Sequence, residues 1–228
     1  MPRDKSTKAL TDLQSARMAR ILNAAQNLLG EIGVERMTMR DLAVASGVSA
    51  ATLYNRFGTK DGVVTSAVLD HYERAVRSVL DRAAGNETPA QQIAHGISVI
   101  VKDCLRRPAF GRALMSAYFK IGNEREMPTG LYQALMQSWL PQLQQLADQN
   151  ALRDWVSVPM LAEELCDRMF GVVMKWAQGG ISNRIFVARA QMSVLLPLAG
   201  AAHGAQATEV AQLVAAASAS IKRNDRKR

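Results

Sequence analysis

An all-α fold in two helical domains is predicted by three features of this 228-residue chain. Apolar residues recur at helical spacing along its length, with no sustained apolar–polar alternation of the kind that marks strands. The punctuation is that of helix ends: Ala84-Gly85-Asn86, Pro89, Pro108, the Gly122-Asn123 turn, Pro128 and Gly179-Gly180. The stretch Thr38 to Lys60, TMRDLAVASGVSAATLYNRFGTK, reads as two short helices folded around a glycine turn.

The first helix is carried by ILNAAQNLLGEIG, Ile21 to Gly33. Arg3, Lys5 and Lys8 stand ahead of it in a basic, flexible arm (residues 1–13) of the kind that follows a minor groove. Thr38 caps the second helix, on which Met39, Leu42 and Ala43 share a face, Ala43 being small where another helix must cross closely. Gly47 ends that helix, since glycine takes a left-handed backbone without steric cost, and Val48 turns back toward the core. Ser49 caps the third helix. There Leu53 and Phe57 fall on one face, leaving Ala50, Ala51, Thr52, Tyr54 and Asn55 around the others.

This outer surface is small and uncharged, which lets a helix backbone approach base edges. Threonine and alanine methyls suit thymine methyls, and hydroxyls reach phosphates. Lys60 opens the next helix, where its ammonium and the helix's N-terminal amides together suit a backbone phosphate, and Arg40 in the supporting helix suits another. Thr38, Ser49 and Arg56 complete the candidate DNA-binding set.

At these residues the chain resembles the TetR family of transcriptional regulators, whose pattern is an apolar first helix ending in Gly, the helix-turn-helix, then an aromatic pair and Lys. The matching positions here are Ile21 to Gly33, Thr38, Leu42, Ala43, Gly47, Val48, Thr52, Leu53, Tyr54, Phe57, Lys60 and Asp61. They cover about the first third of the chain. Asn55 and Arg56 fill positions that vary within the family. The resemblance implies a DNA-binding domain over residues 14–74 and a helical effector-binding and dimerisation domain over 75–221. It also implies a homodimer that binds double-stranded DNA at a palindromic operator and is released, as a repressor, by a small molecule.

Beyond the helix-turn-helix, Asp61 to Arg82 reads as one long helix linking the domains. Helices are then expected over Pro89 to Leu105, Pro108 to Ile121, Gly130 to Asn150, Val158 to Gln178, Ile181 to Ala202 and Thr208 to Ile221. Met115, Phe119, Met136, Trp139, Met169 and Phe170 offer adaptable apolar surface, either to a largely apolar effector or simply to the core. Glu163, Glu164 and Asp167 suit a cation or a solvated helix face. Val172, Val173, Trp176, Ile181, Ile185, Met192, Leu195 and Leu196 exceed what one small domain needs, so they are assigned to a dimer seam in a four-helix bundle. An intramolecular core is the alternative for the same residues.

The net charge of +8 suits a polyanionic partner, but half of it comes from the tail Lys222 to Arg228, which contributes +4. That tail is expected to be a flexible, solvated end. No secretory core, membrane-spanning run or cysteine framework is visible, so a cytoplasmic protein with Cys104 and Cys166 as buried free thiols is expected. His71, His95 and His203 are isolated, and no nucleophile or phosphate-loop motif occurs. Neither a metal, a cofactor nor catalysis is expected. A DNA-associated interaction protein, whose helical domain serves dimer or partner contacts without an effector, is the alternative, and ligand-dependent release from DNA separates the two.

Overall fold

The computed structural model describes residues 3–82, 87–112, 115 and 129–225. Its helices are α1 (Arg3–Glu31), α2 (Gly33–Arg36), α3 (Met39–Ser46), α4 (Ala50–Phe57), α5 (Lys60–Arg82) and α6 (Pro89–Arg106). They continue as α7 (Thr129–Asp148), α8 (Val158–Ala177), α9 (Asn183–Ala201) and α10 (Gly204–Asp225). Residues 108–112 are also helical. Among the described residues, β pairing is confined to one antiparallel bridge between Leu152 and Ala202.

Two boundaries differ from those expected. The first helix begins at Arg3, so Arg3, Lys5 and Lys8 lie within it rather than ahead of it. The last helix runs to Asp225 and takes in Lys222 and Arg223; the remainder of the basic tail lies outside the described residues. The one-turn helix α2, opened by Gly33, carries no apolar repeat from which it could be foreseen.

The chain divides by contact into two units, Met1–His71 with Pro108–Arg125, and Tyr72–Arg107 with Glu126–Arg228. In the first, Ile21, Ala25 and Leu29 of α1 meet Leu42, Leu53, Val63, Val64 and Ala67 in a closed core. Fully burying each of the larger aliphatic side chains contributes about 1.5–3 kcal/mol, far more than any surface ion pair. Gln26, buried in the same unit, donates to Ala67 O at 2.8 Å and to Asp70 Oδ2 at 2.9 Å, fastening α1 to α5. Phe110 joins this core and meets the His71 ring edge-on at 4.9 Å. Residues 108–112 therefore group with the first unit, whereas their sequence position assigned them to the second domain.

The second unit is a helical stack whose core includes Ile93 and Ile97 of α6, Leu143 and Leu146 of α7, Leu165 and Met169 of α8 and Leu195 and Leu198 of α9. Polar ties fix its helices. Gln191 Nε2 donates to Ser98 Oγ at 2.9 Å, and Thr88, which caps α6, also donates to Glu209 Oε1 at 2.5 Å. Pro141 and Pro197 interrupt α7 and α9 without ending them, although each removes a backbone donor.

Candidate nucleic-acid interface

The helix-turn-helix forms as its local signals dictate. Thr38 and Asp41 make a reciprocal capping box: Asp41 N donates to Thr38 Oγ1 at 3.1 Å, and Thr38 N donates to Asp41 Oδ2 at 3.1 Å. The Thr38 hydroxyl, and after it the Thr38 backbone N–H, hold the Asp41 carboxyl below its ordinary value. Gly47 closes α3 with φ 65°, the left-handed region that costs other residues about 1–2 kcal/mol, and Val48 N donates back to Ala43 O at 3.2 Å. Ser49 Oγ accepts from Thr52 N at 3.1 Å and so caps α4.

On α4 the apolar anchors point inward. Leu53 is fully buried and Phe57 packs half-buried against the same core. Ala51, Tyr54, Asn55 and Arg56 are exposed, Tyr54 to 53%, while Ala50 and Thr52 are half-buried. A large aromatic ring left this open beside small residues is surface available to a partner. Arg40 is exposed in the first turn of α3, with no hydrogen-bond or ion-pair partner among the described residues.

Lys60 opens α5 as expected, but its ammonium has a protein partner: Nζ donates to Val34 O at 3.0 Å. It is half-buried and ties α5 to α2, leaving only its remaining donors for an anion. The α4–α5 turn is so tight that a Cβ on Gly62 would overlap Phe57 O, an approach no side chain tolerates.

Two arginines of α1 escaped the sequence reading. Arg20 Nε donates to Ser46 O at 3.1 Å, at the carbonyl end of α3, and Arg17 Nη2 donates to Thr52 Oγ1 at 3.3 Å on α4. Their spacing of three residues puts both on one side of α1, the available sequence signal.

The effector and dimer assignments fare unevenly. Trp139, Met169 and Phe170 are buried and Met136 is half-buried, all in the second unit; Met115 is grouped with the first, and Phe119 lies outside the described residues. Tyr132 stacks on Phe170 at 5.7 Å and donates to Asp167 Oδ1 at 3.0 Å, so one carboxylate of the acidic trio already has a partner. Burial, then the Asp167 hydrogen bond, pushes the Tyr132 phenol up.

Of the residues assigned to a dimer seam, Val172, Val173, Trp176, Ile181 and Leu195 are buried within the single chain. Trp176 stacks on Phe186 at 4.6 Å and its indole donates to Asn183 Oδ1 at 2.8 Å. These residues are core, the alternative their apolar spacing left open. Ile185 and Met192 remain half-buried and Leu196 is 50% exposed. Cys104 and Cys166 are free and buried, and burial pushes both thiols up to about 12. Among the described residues no group of side chains suited to a metal occurs, and no helix is long and apolar enough to cross a membrane.

Comparison with known proteins converges on this interface. The family model described as "Bacterial regulatory proteins, tetR family" matches residues 21–67, from α1 into α5. The HTH-type transcriptional repressor Rv3405c of Mycobacterium tuberculosis is 38% identical over 79 residues, 35% of this chain and 39% of that protein. The uncharacterized HTH-type transcriptional regulator Rv1255c of the same organism is 28% identical over 138 residues, 58% of this chain and 68% of that protein. Among solved structures, the TetR-family repressor FadR of Thermus thermophilus, crystallised with lauroyl-CoA, superposes with a TM-score of 0.64 at 21% identity. It covers 80% of this chain and 94% of its own, a likeness of fold. The capped helix-turn-helix thus lies inside a segment, residues 21–67, that matches the DNA-binding part of the TetR family, and the all-α fold around it is like that of solved TetR-family regulators.

Proposed function

We propose that the protein is a homodimeric repressor whose paired α4 helices enter successive major grooves of a palindromic operator, and that a largely apolar small molecule bound in its second unit releases it. In this reading Ala50, Ala51 and Thr52 face base edges, Tyr54, Ser49 and Thr38 approach phosphates, and Arg40, Asn55, Arg56 and Lys60 flank them. Residues 14–74 and 75–221 serve as the DNA-binding and the effector and dimer domains. The protein works in the cytoplasm, and catalysis has no part in its action.

The observation that carries the effector half is Tyr72. It lies on α5, the same helix that Lys60 opens, and its side chain is only 8% exposed. Its hydroxyl makes no hydrogen bond of good geometry. Ser138 stands near enough to ease the phenol slightly downward; its own proton goes to Leu135 O at 2.6 Å, so toward Tyr72 it offers an acceptor, outside good hydrogen-bond geometry. A buried hydroxyl left unpaired costs about 1–3 kcal/mol, which an oxygen or nitrogen of a ligand offsets. Burial, with smaller contributions from Cys166 and Cys104, outweighs Ser138 and pushes the phenol well up, so it remains a neutral donor. Trp139, Met169 and Phe170 supply apolar surface in the same unit. The lauroyl-CoA held by Thermus thermophilus FadR joins a long apolar chain to polar groups, a comparable chemistry. For a switch, the ligand must favour the DNA-incompetent state, and a shift of α5 is the means by which occupation at Tyr72 reaches Lys60.

Dimerisation rests on α9, where Ile185, Met192 and Leu196 share one outer face at spacings of seven and four residues. Exposed Arg189 stands on the same face, which therefore offers three apolar side chains around one charge for a second copy to cover. A single α4 reads few bases, and a two-fold axis doubles it.

Release is tested by titrating lauroyl-CoA and 1-dodecanol against the protein bound to a fluorescent operator duplex. Release by at least one, with Tyr72→Phe binding DNA normally but requiring about tenfold more ligand, is expected from the loss of one hydrogen bond. No release by either, or release unchanged in Tyr72→Phe, removes this effector reading and favours an interaction protein without effector control.

A further inference from the structure

A groove of about 600 Å³ in the first unit runs between α1 and α4 and is lined by Gln14, Ser15 and Arg17 from the first and by Thr52 and Arg56 from the second. Arg17 and Arg56 are exposed, and neither has a carboxylate partner among the described residues. Two like charges on facing helices repel unless an anion lies near both. The one acid on the groove wall, Asp70, is half-buried and accepts from Gln26, so it is drawn toward α1 and α5.

Arg17 is aimed rather than adrift. Its Nη2 donates to Thr52 Oγ1 at 3.3 Å, which holds the guanidinium beside the recognition helix with its other donors unspent. Thr52 Oγ1 also lies 2.9 Å from Ser49 Oγ. The hydroxyl is thus engaged on two sides, and the methyl is the part of Thr52 left for a base edge.

We infer that this groove is a phosphate site on the α1 side of the DNA interface, in which Arg17 and Arg56 grip one backbone phosphate of the duplex that α4 reads. This rests on the DNA-binding reading and extends it to a helix outside the helix-turn-helix. A guanidinium matches a phosphate through two parallel N–H···O bonds, and two guanidiniums on opposite walls match its two unshared oxygens. The grip fixes the register of α4, while Thr52, steadied by Arg17, faces the bases.

The test measures binding of parent, Arg17→Ala and Arg17→Lys to a selected operator and to an unrelated duplex across a salt series, with melting curves to confirm folding. Arg17→Ala should weaken binding to both duplexes several-fold and lower the slope of log K against log[salt] by about one. Arg17→Lys should restore the slope but not the full affinity, because an ammonium keeps the charge and loses the fork.

A second arm replaces phosphates of the operator one at a time by uncharged methylphosphonates. One position should weaken the parent and leave Arg17→Ala unaffected, which identifies a duplex phosphate rather than free phosphate as the occupant. An unchanged salt slope in Arg17→Ala, or no position coupled to Arg17, overturns the site; a shifted base preference alone would reduce Arg17 to a support for Thr52. Failure of the parent to bind any duplex would instead overturn the DNA-binding reading itself.

Discussion

At the scale of single residues, two cationic side chains of the first unit have partners far away in sequence. Lys60 reaches Val34 and Arg17 reaches Thr52, separations of 26 and 35 residues. Lys60→Ala therefore removes a tie between α2 and α5 as well as a positive charge, and should lower the melting temperature along with DNA affinity. A loss of affinity with unchanged melting would mean that the carbonyl bond contributes nothing to stability. Thr38→Ala removes the side-chain half of a capping box and should cost about 1 kcal/mol in denaturant unfolding. Because the Asp41 pKa is lowered on folding, its share of that cap is present above the unfolded carboxylate pKa and is lost as pH falls through the folded value. The thiols show the opposite shift. With Cys104 and Cys166 raised to about 12, neither should react with a thiol reagent at about pH 8 until the protein is denatured, and rapid native labelling would contradict their burial.

At the scale of elements, what the sequence revealed depended on range. The caps at Thr38 and Ser49 and the left-handed Gly47 act within four residues, so α3 and α4 were legible to within a residue at their ends. The face of α4 was legible too, because Leu53 and Phe57 mark its inner side. Helical periodicity alone did not distinguish a core from an interface. Trp176 carries the apolar spacing of a seam, yet Phe186, ten residues on, covers it inside the same chain. Nor did sequence position reveal that residues 108–112 join the first unit, since that depends on Phe110 meeting a core built by α1, α3, α4 and α5. Gly62 is the clearest case of a constraint set by an element rather than a side chain. Gly62→Ala should unfold the α4–α5 turn or shift α5, with DNA affinity falling more than about tenfold even where circular dichroism remains helical. Parent-like affinity would show that the turn relaxes cheaply.

At the scale of the whole molecule, DNA recognition, pairing and release are separate properties and should separate in variants. Leu196→Asp places a charge on the outer face of α9, 50% exposed in the single chain, and should leave that chain folded while converting the proposed dimer to monomer in sedimentation equilibrium. Operator affinity should then fall steeply, because each half-site is held alone. A persisting dimer would move the seam off this face. The exposed Trp155 and Met160 stand at 68% and 47%, and because Trp139 and Trp176 are buried, quenching of Trp155 by a soluble quencher gives a local report if that neighbourhood is covered on pairing.

The most direct measurement is selection of binding sites from a random duplex pool at near-physiological salt, comparing the parent with a Tyr54→Ala, Arg40→Ala variant that keeps the fold. A palindrome enriched by the parent and not by the variant is the expected result for a dimer that reads sequence through α4. No enriched motif, or equal enrichment by both, would contradict it and leave only charge-driven adsorption to DNA.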